Sequence, residues 1–204
     1  TQLNRLTQDE FERDLSSNID ALVDCGVTRI RGFRAPTFSL NKSTSWAYPV
    51  MRSLGLSYSS SVLPGKNPLY GWPGFGEFPQ LVENNLIEIP ITLHKHPLLR
   101  VPAAGGLYFR IIPYFLTQRT LRSLPANQPV TTYFHPYDID VEQERFMHPE
   151  LKDNRFLNWL MYLNRSKTIP RLEKLLSASN CSSYEDYASA LLNQSHNSFK
   201  PNSL

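Results

Sequence analysis

Hydrophobic and polar positions along the chain alternate in a way that predicts helices separated by short strands. The run Thr7-Gln8-Asp9-Glu10 is a capping-box sequence, in which a threonine and a glutamate three residues later satisfy backbone N–H groups at a helix start. Apolar residues then recur at helical spacing, namely Phe11, Leu15, Ile19, Leu22 and Val23. Gly26 is a typical helix stop, and the β-branched run over 27–33 predicts a strand.

The same rules predict the elements of the remaining chain. They are a helix over 46–54 ended by Gly55, a strand over 56–62, a long ordered loop over 63–80, a strand over 86–92, a Gly105-Gly106 turn, a helix opened by Pro113, a strand over 130–134, and helices around 156–163, 169–176 and 182–192. Pro49 obscures where the helix over 46–54 begins, because proline lacks an N–H and disfavours helix interiors.

This alternation predicts an α/β fold with a mostly parallel sheet, open or closed as a barrel, and with active residues at the carboxyl ends of its strands. Only six residues precede Thr7, so the first helix has no strand before it. We therefore interpret residues 1–204 as one N-terminally truncated domain, with a barrel portion over 1–140 and a C-terminal helical extension over 141–204.

Composition narrows the function classes. A net charge of +3 without a Lys/Arg cluster argues against nucleic-acid binding, which needs a concentrated basic face. Apolar stretches are interrupted within about ten residues, short of the roughly 20 that cross a bilayer, so we expect no transmembrane segment. Cys25 and Cys181 are far apart in the sequence and form no metal or redox motif.

Arg34 and His135 are the first candidates for chemistry. Arg34 directly follows the strand predicted over 27–33, and its planar guanidinium suits a carboxylate, so it could orient a catalytic acid or form a structural ion pair. His135 ends the strand predicted over 130–134, where Pro136 stops the ladder. Histidine ordinarily titrates near neutrality and can donate a proton to a leaving amine; the alternative is a hydrogen-bonded core histidine.

His94-Lys95-His96 would place two imidazoles on one face of a strand, where they could hold a metal. No third ligand is suggested by the sequence. A solvated strand end is therefore the favoured interpretation of this segment.

Six segments occur in an order and spacing that together are specific. They are Gly32-Phe33-Arg34-Ala35-Pro36-Thr37-Phe38-Ser39, Trp46, Gly55 with Tyr58-Ser59-Ser60-Ser61-Val62 and Pro64, Glu88 with Pro90, Gly105-Gly106-Leu107-Tyr108-Phe109-Arg110 with Pro113-Tyr114, and Tyr133-Phe134-His135-Pro136-Tyr137-Asp138. In this order they resemble the polysaccharide deacetylase (NodB-homology) family, especially a bacterial branch linked to exopolysaccharide synthesis. The resemblance covers most of the chain.

The resemblance implies a deformed (β/α) barrel, incomplete in this chain, and an N-deacetylase of an N-acetylhexosamine-containing polysaccharide. In the intact enzyme a divalent metal, usually zinc, would polarise the acetamide carbonyl and activate water. Arg34 would orient the catalytic aspartate, and His135 would protonate the departing amine. The sugar-binding candidates implied in the same way are Pro36, Phe38, Trp46, Tyr108 and Tyr137, although an aromatic at such a position could equally belong to the core.

The metal motifs of the family, an Asp-Asp pair and a His-x-x-x-His run, do not occur in this chain. In the family both normally precede a helix like the one at Thr7, so the chain resembles a C-terminal part that is inactive alone. Two alternatives stay open: a non-catalytic glycan-binding module or remnant, and a deacetylase of peptidoglycan or a small amide. Ser59 replaces the branch's usual aspartate, and Asp138 replaces its usual glutamate.

Overall fold

The computed structural model describes residues 1–66, 71–95, 100–126, 128–147 and 153–198, with side chains up to 194. Its helices are α1 Gln8–Asp24, α2 Ala47–Ser53, α3 Gly106–Ile111, α4 Tyr114–Arg122, α5 Pro136–Ile139, α6 Arg155–Tyr162, α7 Thr168–Leu176 and α8 Tyr184–Ser198. Its strands are β1 Gly32–Phe33, β2 Tyr58–Ser59, β3 Gln80–Glu83 and β4 Leu86–Glu88. No helix in the described part of the chain has the length and apolar character needed to cross a membrane.

The four strands form an open sheet in the order β1-β2-β4-β3. β1 pairs with β2 and β2 with β4 in parallel, while β3 runs antiparallel to β4. The predicted mixed α/β fold with a mostly parallel sheet is confirmed. Among the described residues the sheet does not close into a barrel, so the finer prediction of a deacetylase-type barrel is not established.

Helix boundaries follow the local signals in the sequence. Thr7 accepts a hydrogen bond from the N–H of Glu10, and the Glu10 carboxylate accepts one from the N–H of Thr7, so the predicted capping box is confirmed. Gly26 and Gly55 both have positive φ, at 88° and 82°. Each follows a helix end, where glycine adopts the left-handed conformation without a Cβ penalty.

The strands are shorter than predicted, and their ends have physical causes. β4 ends before Pro90, which has no N–H to donate to a neighbouring strand. The loop predicted over 63–80, outside 67–70, leads into β3, which the polar sequence Gln80–Glu83 had not predicted. Tyr70 of that loop lies outside the described residues.

The prediction of a strand over 130–134 was wrong. Among the described residues, its backbone makes one isolated bridge, from Tyr133 to Gly105. Thr131 is instead held by Thr92, because each threonine hydroxyl accepts a hydrogen bond from the other's backbone N–H, at 2.7 and 2.9 Å. Side-chain hydrogen bonds thus replace a regular ladder there.

The chain forms two compact units, Thr1–Ile91 with Ser182–Leu204, and Thr92–Cys181. The first unit contains the sheet, and residues of β4 contact helices on both faces of that sheet. Leu86 packs into a core with α1 and α2, and Ile87 packs with Ala188 of α8. Neighbouring strand residues point to opposite faces, so each face has its own helices. The second unit is helical, around Ala104, Phe109 and Leu175.

The boundary predicted at residue 140 falls inside the second unit. The helices predicted over 141–204 all form, as α6, α7 and α8. However, α8 packs with the sheet of the first unit. The assignment of 1–204 to a single truncated domain stays a prediction.

Candidate functional site

His135 stands at the start of the short helix α5 rather than at the end of a buried strand. Its backbone N–H donates to Oδ2 of Asp138 at 3.0 Å, and its ring Nδ1 lies 3.1 Å from the same oxygen. The His135 side chain is 49% exposed. The predicted position at a strand mouth is thus corrected: the imidazole is accessible to solvent and is held on one side by a carboxylate.

Asp138 connects His135 to a buried arginine. Its Oδ1 lies 3.1 Å from Nε of Arg110, and neither side chain has exposed surface. Nη1 of Arg110 also donates to the backbone carbonyls of Met161 and Leu163, at 3.1 and 2.9 Å. We call His135, Asp138 and Arg110 the histidine cluster; its outer member is exposed and its inner members are fixed by the surrounding backbone.

The electrostatics of the histidine cluster favour an ionised Asp138. Burial acts to raise the pKa of this carboxyl, but the hydrogen bonds from His135 and the charge of Arg110 outweigh burial and lower the pKa below its usual value. Burial lowers the pKa of Arg110, and the charge of Asp138 opposes that change. A carboxylate held in this way accepts a hydrogen bond from a protonated Nδ1, and this bond fixes the tautomer of the ring.

Two tyrosines adjoin His135. The ring of Tyr137 is stacked on the imidazole, with centroids 4.6 Å apart and planes 8° apart, and Tyr133 meets it edge-on at 6.1 Å. Tyr133 also lies against Gly105, where an added Cβ would come within 2.4 Å of its ring. The glycine pair is therefore needed for the close approach of this tyrosine. Tyr108 lies in α3 and is half-buried.

Arg34 follows β1 in the first unit and is exposed. Its Nε donates to the carbonyl of Ser60 at 3.0 Å, and its Nη2 to the Ser60 hydroxyl at 3.1 Å. The guanidinium carbon also lies 5.0 Å from the ring centroid of Tyr184. The hydrogen bonds resolved for Arg34 thus go to a serine rather than to a carboxylate, and its role in orienting a catalytic acid stays a prediction.

The other candidates of the first unit lie in different surroundings. Pro36 begins a tight turn in which Thr37 and Phe38 both have a φ of 55°, an uncommon conformation for a β-branched residue. Phe38 lies 5.9 Å from the guanidinium of Arg34. Trp46 packs edge-on against Phe11 and joins the hydrophobic core.

A buried glutamate at the carboxyl end of β4 was not predicted as a site residue. Glu88 is fully buried, and its Oε1 accepts hydrogen bonds from the N–H groups of Ser61 and Val62, at 2.7 and 2.8 Å. The Ser61 hydroxyl in turn accepts a hydrogen bond from the N–H of Ala35 at 2.8 Å. The signal in the sequence was a single acid in the apolar run Leu86-Ile87-Glu88-Ile89.

Burial raises the pKa of Glu88, and hydrogen bonds from Ser59, Ser61 and Val62 only partly oppose the increase. Burial, followed by the negative charge of Glu88, raises the pKa of Tyr48. Ser59 thus adds a hydroxyl rather than a second charge beside a buried carboxyl. Like charges so close together would disfavour ionisation of both.

The candidate residues are divided between the two units. Arg34, Pro36, Phe38 and Trp46 belong to the first, and Tyr108, His135 and Tyr137 belong to the second. Within the second unit the structure brings His135 and Tyr137 together, and it adds Asp138 and Arg110, which sequence reasoning quoted only as parts of motifs.

The described residues of this chain do not form a metal site. His94 was interpreted as part of a solvated strand end, but it is 3% exposed, with Nδ1 2.9 Å from the hydroxyl of Thr120. His96 lies outside the described residues. In the part of the chain that the structure describes, no group of three or more His, Cys, Asp or Glu could hold a metal ion.

Comparison with known proteins gives one family. No curated protein and no solved structure matches the chain significantly. A family model described as a domain of unknown function, DUF3473, matches residues 60–189, which is more than half of the sequence. The matched range contains both Glu88 and the histidine cluster. The chain therefore belongs to the DUF3473 family, a domain associated with polysaccharide deacetylase-like proteins.

Proposed function

We propose that this chain is the C-terminal part of a metal-dependent N-deacetylase that acts on an N-acetylhexosamine-containing polysaccharide, with His135 as its general acid. The observation that carries the proposal is the histidine cluster, in which a buried and ionised Asp138 holds an exposed imidazole. The family's association with polysaccharide deacetylase-like proteins supports it. A deacetylase-type barrel and the orientation of a catalytic aspartate by Arg34 belong to the same proposal.

The proposed step is hydrolysis of an acetamide. Water adds to the carbonyl carbon, the C–N bond breaks, acetate is released, and the departing amine must receive a proton. With Nδ1 hydrogen-bonded to Asp138, that proton would come from Nε2 of His135, and the Asp138 carboxylate stabilises the imidazolium before transfer. A metal would supply the activation of the water, and in the intact enzyme its ligands would come from residues outside this chain.

The test uses the intact protein and measures acetate release from N-acetylated oligosaccharides. His135→Gln and His135→Ala should lower kcat by roughly 10²–10⁴-fold, the usual contribution of a positioned acid. Arg119→Gln, an exposed change in α4, is the matched control and should leave the rate unchanged. A chelator should abolish activity and added zinc should restore it.

Two outcomes would overturn the proposal. Undiminished activity in His135→Ala would show that His135 is not the general acid. Absence of acetate release from every N-acetylated polymer, with glycan binding retained, would instead identify a non-catalytic binding module. Release from peptidoglycan fragments or small amides alone would keep the deacetylase chemistry but replace the polysaccharide substrate.

A further inference from the structure

A groove of the second unit runs along α6, and its lining includes neither His135 nor Asp138. One cavity of about 290 Å³ is lined by Arg145, Met147, Arg155, Asn158, Trp159 and Tyr162. A second, of about 180 Å³, shares Arg145 and Tyr162 with the first. The two cavities adjoin at these shared residues, and we call them together the α6 groove. Its larger part is close to the lower size limit of small-molecule sites, roughly 300 Å³.

The α6 groove is held open by hydrogen bonds between its two walls. The N–H of Phe146 donates to the hydroxyl of Tyr162 at 3.0 Å, and Nδ2 of Asn158 donates to the carbonyl of Phe146 at 3.1 Å. Arg165 lies over the Tyr162 ring at 4.3 Å. The segment that carries Arg145 is therefore fastened to α6, so a ligand would meet a preformed surface and need not order it.

Aromatic rings are exposed beside the groove. Trp159 and Phe156 are stacked, with centroids 5.9 Å apart, and are 51% and 64% exposed. Both lie on α6 one turn apart. Large aromatic rings side by side on a surface are typical of binding sites, and their flat faces suit the apolar C–H face of a pyranose ring.

The positive charges that line the groove favour a sugar that carries a carboxylate. Its described lining contains Arg145, Arg155 and Arg165 and no carboxylate. Guanidinium groups bind carboxylates through paired hydrogen bonds. The second cavity is further lined by the polar side chains of Gln143, Asn164 and Ser166, which suit hydroxyl groups better than they suit the acyl chains of a membrane.

We propose that the α6 groove binds an acidic polysaccharide, with uronate carboxylates on Arg145 and Arg155 and a sugar ring on Trp159. Two adjoining cavities fit neighbouring sugars of one chain better than a single small molecule. This inference names the polymer class of the proposed deacetylase and so rests on that function, but binding at α6 requires no hydrolysis and can be measured separately.

The test is the affinity of the chain for hyaluronan oligosaccharides, which alternate N-acetylglucosamine with glucuronate, measured by calorimetry and tryptophan fluorescence. Neutral chitooligosaccharides of equal length should bind at least tenfold more weakly. The double variant Arg145→Gln/Arg155→Gln should weaken hyaluronan binding by roughly tenfold or more, and Trp159→Ala should do the same. Arg119→Gln/Arg122→Gln removes two exposed arginines of α4 and should have no effect.

Equal binding of the neutral and acidic oligosaccharides would overturn the inference, as would an equal loss in the α4 control, which would indicate unspecific charge attraction. Binding to anionic phospholipid vesicles but not to the oligosaccharides would overturn it in favour of a membrane surface. Normal oligosaccharide binding in an intact protein that releases no acetate would support the groove while rejecting the deacetylase.

Discussion

At the scale of single residues, the histidine cluster depends on one buried carboxylate. Oδ2 of Asp138 contacts His135 and Oδ1 contacts Arg110. The side chains of Asp138 and Arg110 are both fully buried. A buried ion pair is weak support for net stability, but removing one partner leaves the other charged and unpaired. Asp138 therefore links the position of an exposed imidazole to the stability of the second unit.

We expect Asp138→Asn to lower the free energy of unfolding by roughly 3–5 kcal/mol, because Arg110 loses its counter-charge. Asp14→Asn, at an exposed site in α1, should change it by less than about 0.5 kcal/mol. Urea denaturation of the chain measures both. The double variant Arg110→Met/Asp138→Asn should recover part of the loss; equal destabilisation of the single and double variants would contradict the pairing.

Asp138→Asn also tests whether Asp138 positions the imidazole of His135 or only stabilises the fold. In the intact protein, Asp138→Asn should lower kcat, because the imidazole of His135 loses the carboxylate that lies 3.1 Å from Nδ1 and holds the ring in place. A smaller amount of folded protein with an unchanged kcat per folded molecule would mean that Asp138 has a structural role alone.

At the scale of elements, arginines satisfy the carbonyl ends of short helices in the second unit. Arg171 of α7 donates through Nη1 to the carbonyls of Phe109, Arg110 and Ile112 at the end of α3. Arg110 and Arg165 both donate to the carbonyl of Met161 near the end of α6. The C-terminal end of a helix has unpaired carbonyls and a partial negative charge. A guanidinium there stabilises the helix both by donating hydrogen bonds and by its positive charge.

Arg171→Met should therefore lower the free energy of unfolding by roughly 1.5–3 kcal/mol, the usual value of a hydrogen bond to a charged group. Thermal unfolding should shift down by about 2–4 °C per kcal/mol for a protein of this size. Arg119→Met, on the exposed face of α4, is the matched control. If both variants melted at the wild-type temperature, Arg171 would not support the end of α3.

At the scale of the whole molecule, each unit buries one carboxyl among its described residues, and the pKa values of these two groups are shifted in opposite directions. The pKa of Glu88 is raised above its usual 4.5, and that of Asp138 is lowered below its usual 3.8. Glu88 thus contributes stability that is complete below pH 4.5 and is lost as the pH rises through its folded pKa. Asp138 contributes stability that is complete above pH 3.8 and is lost as the pH falls through its folded pKa.

We expect Glu88→Gln to remove the loss of stability above about pH 4.5, because glutamine cannot ionise but can still accept the hydrogen bonds of Ser61 and Val62. Glu88→Leu should instead cost about 1–3 kcal/mol for each buried N–H left unpaired. Thermal unfolding measured from about pH 4 to about pH 8 compares the three proteins. Identical pH dependence in the wild type and Glu88→Gln would contradict the raised pKa.

The sequence alone determined the longer helices and several of their ends, from Thr7 and Gly26 around α1 to Gly55 after α2, because capping and glycine conformation act within a few residues; it did not predict the short helices α3 and α5. It also indicated a mixed α/β fold and singled out His135. The tertiary structure decided that the sheet pairs only two to four residues per strand, that His135 starts a helix, and that Arg110 and Glu88 are buried. Those outcomes depend on partners far apart in the sequence, whose proximity and desolvation no local pattern encodes.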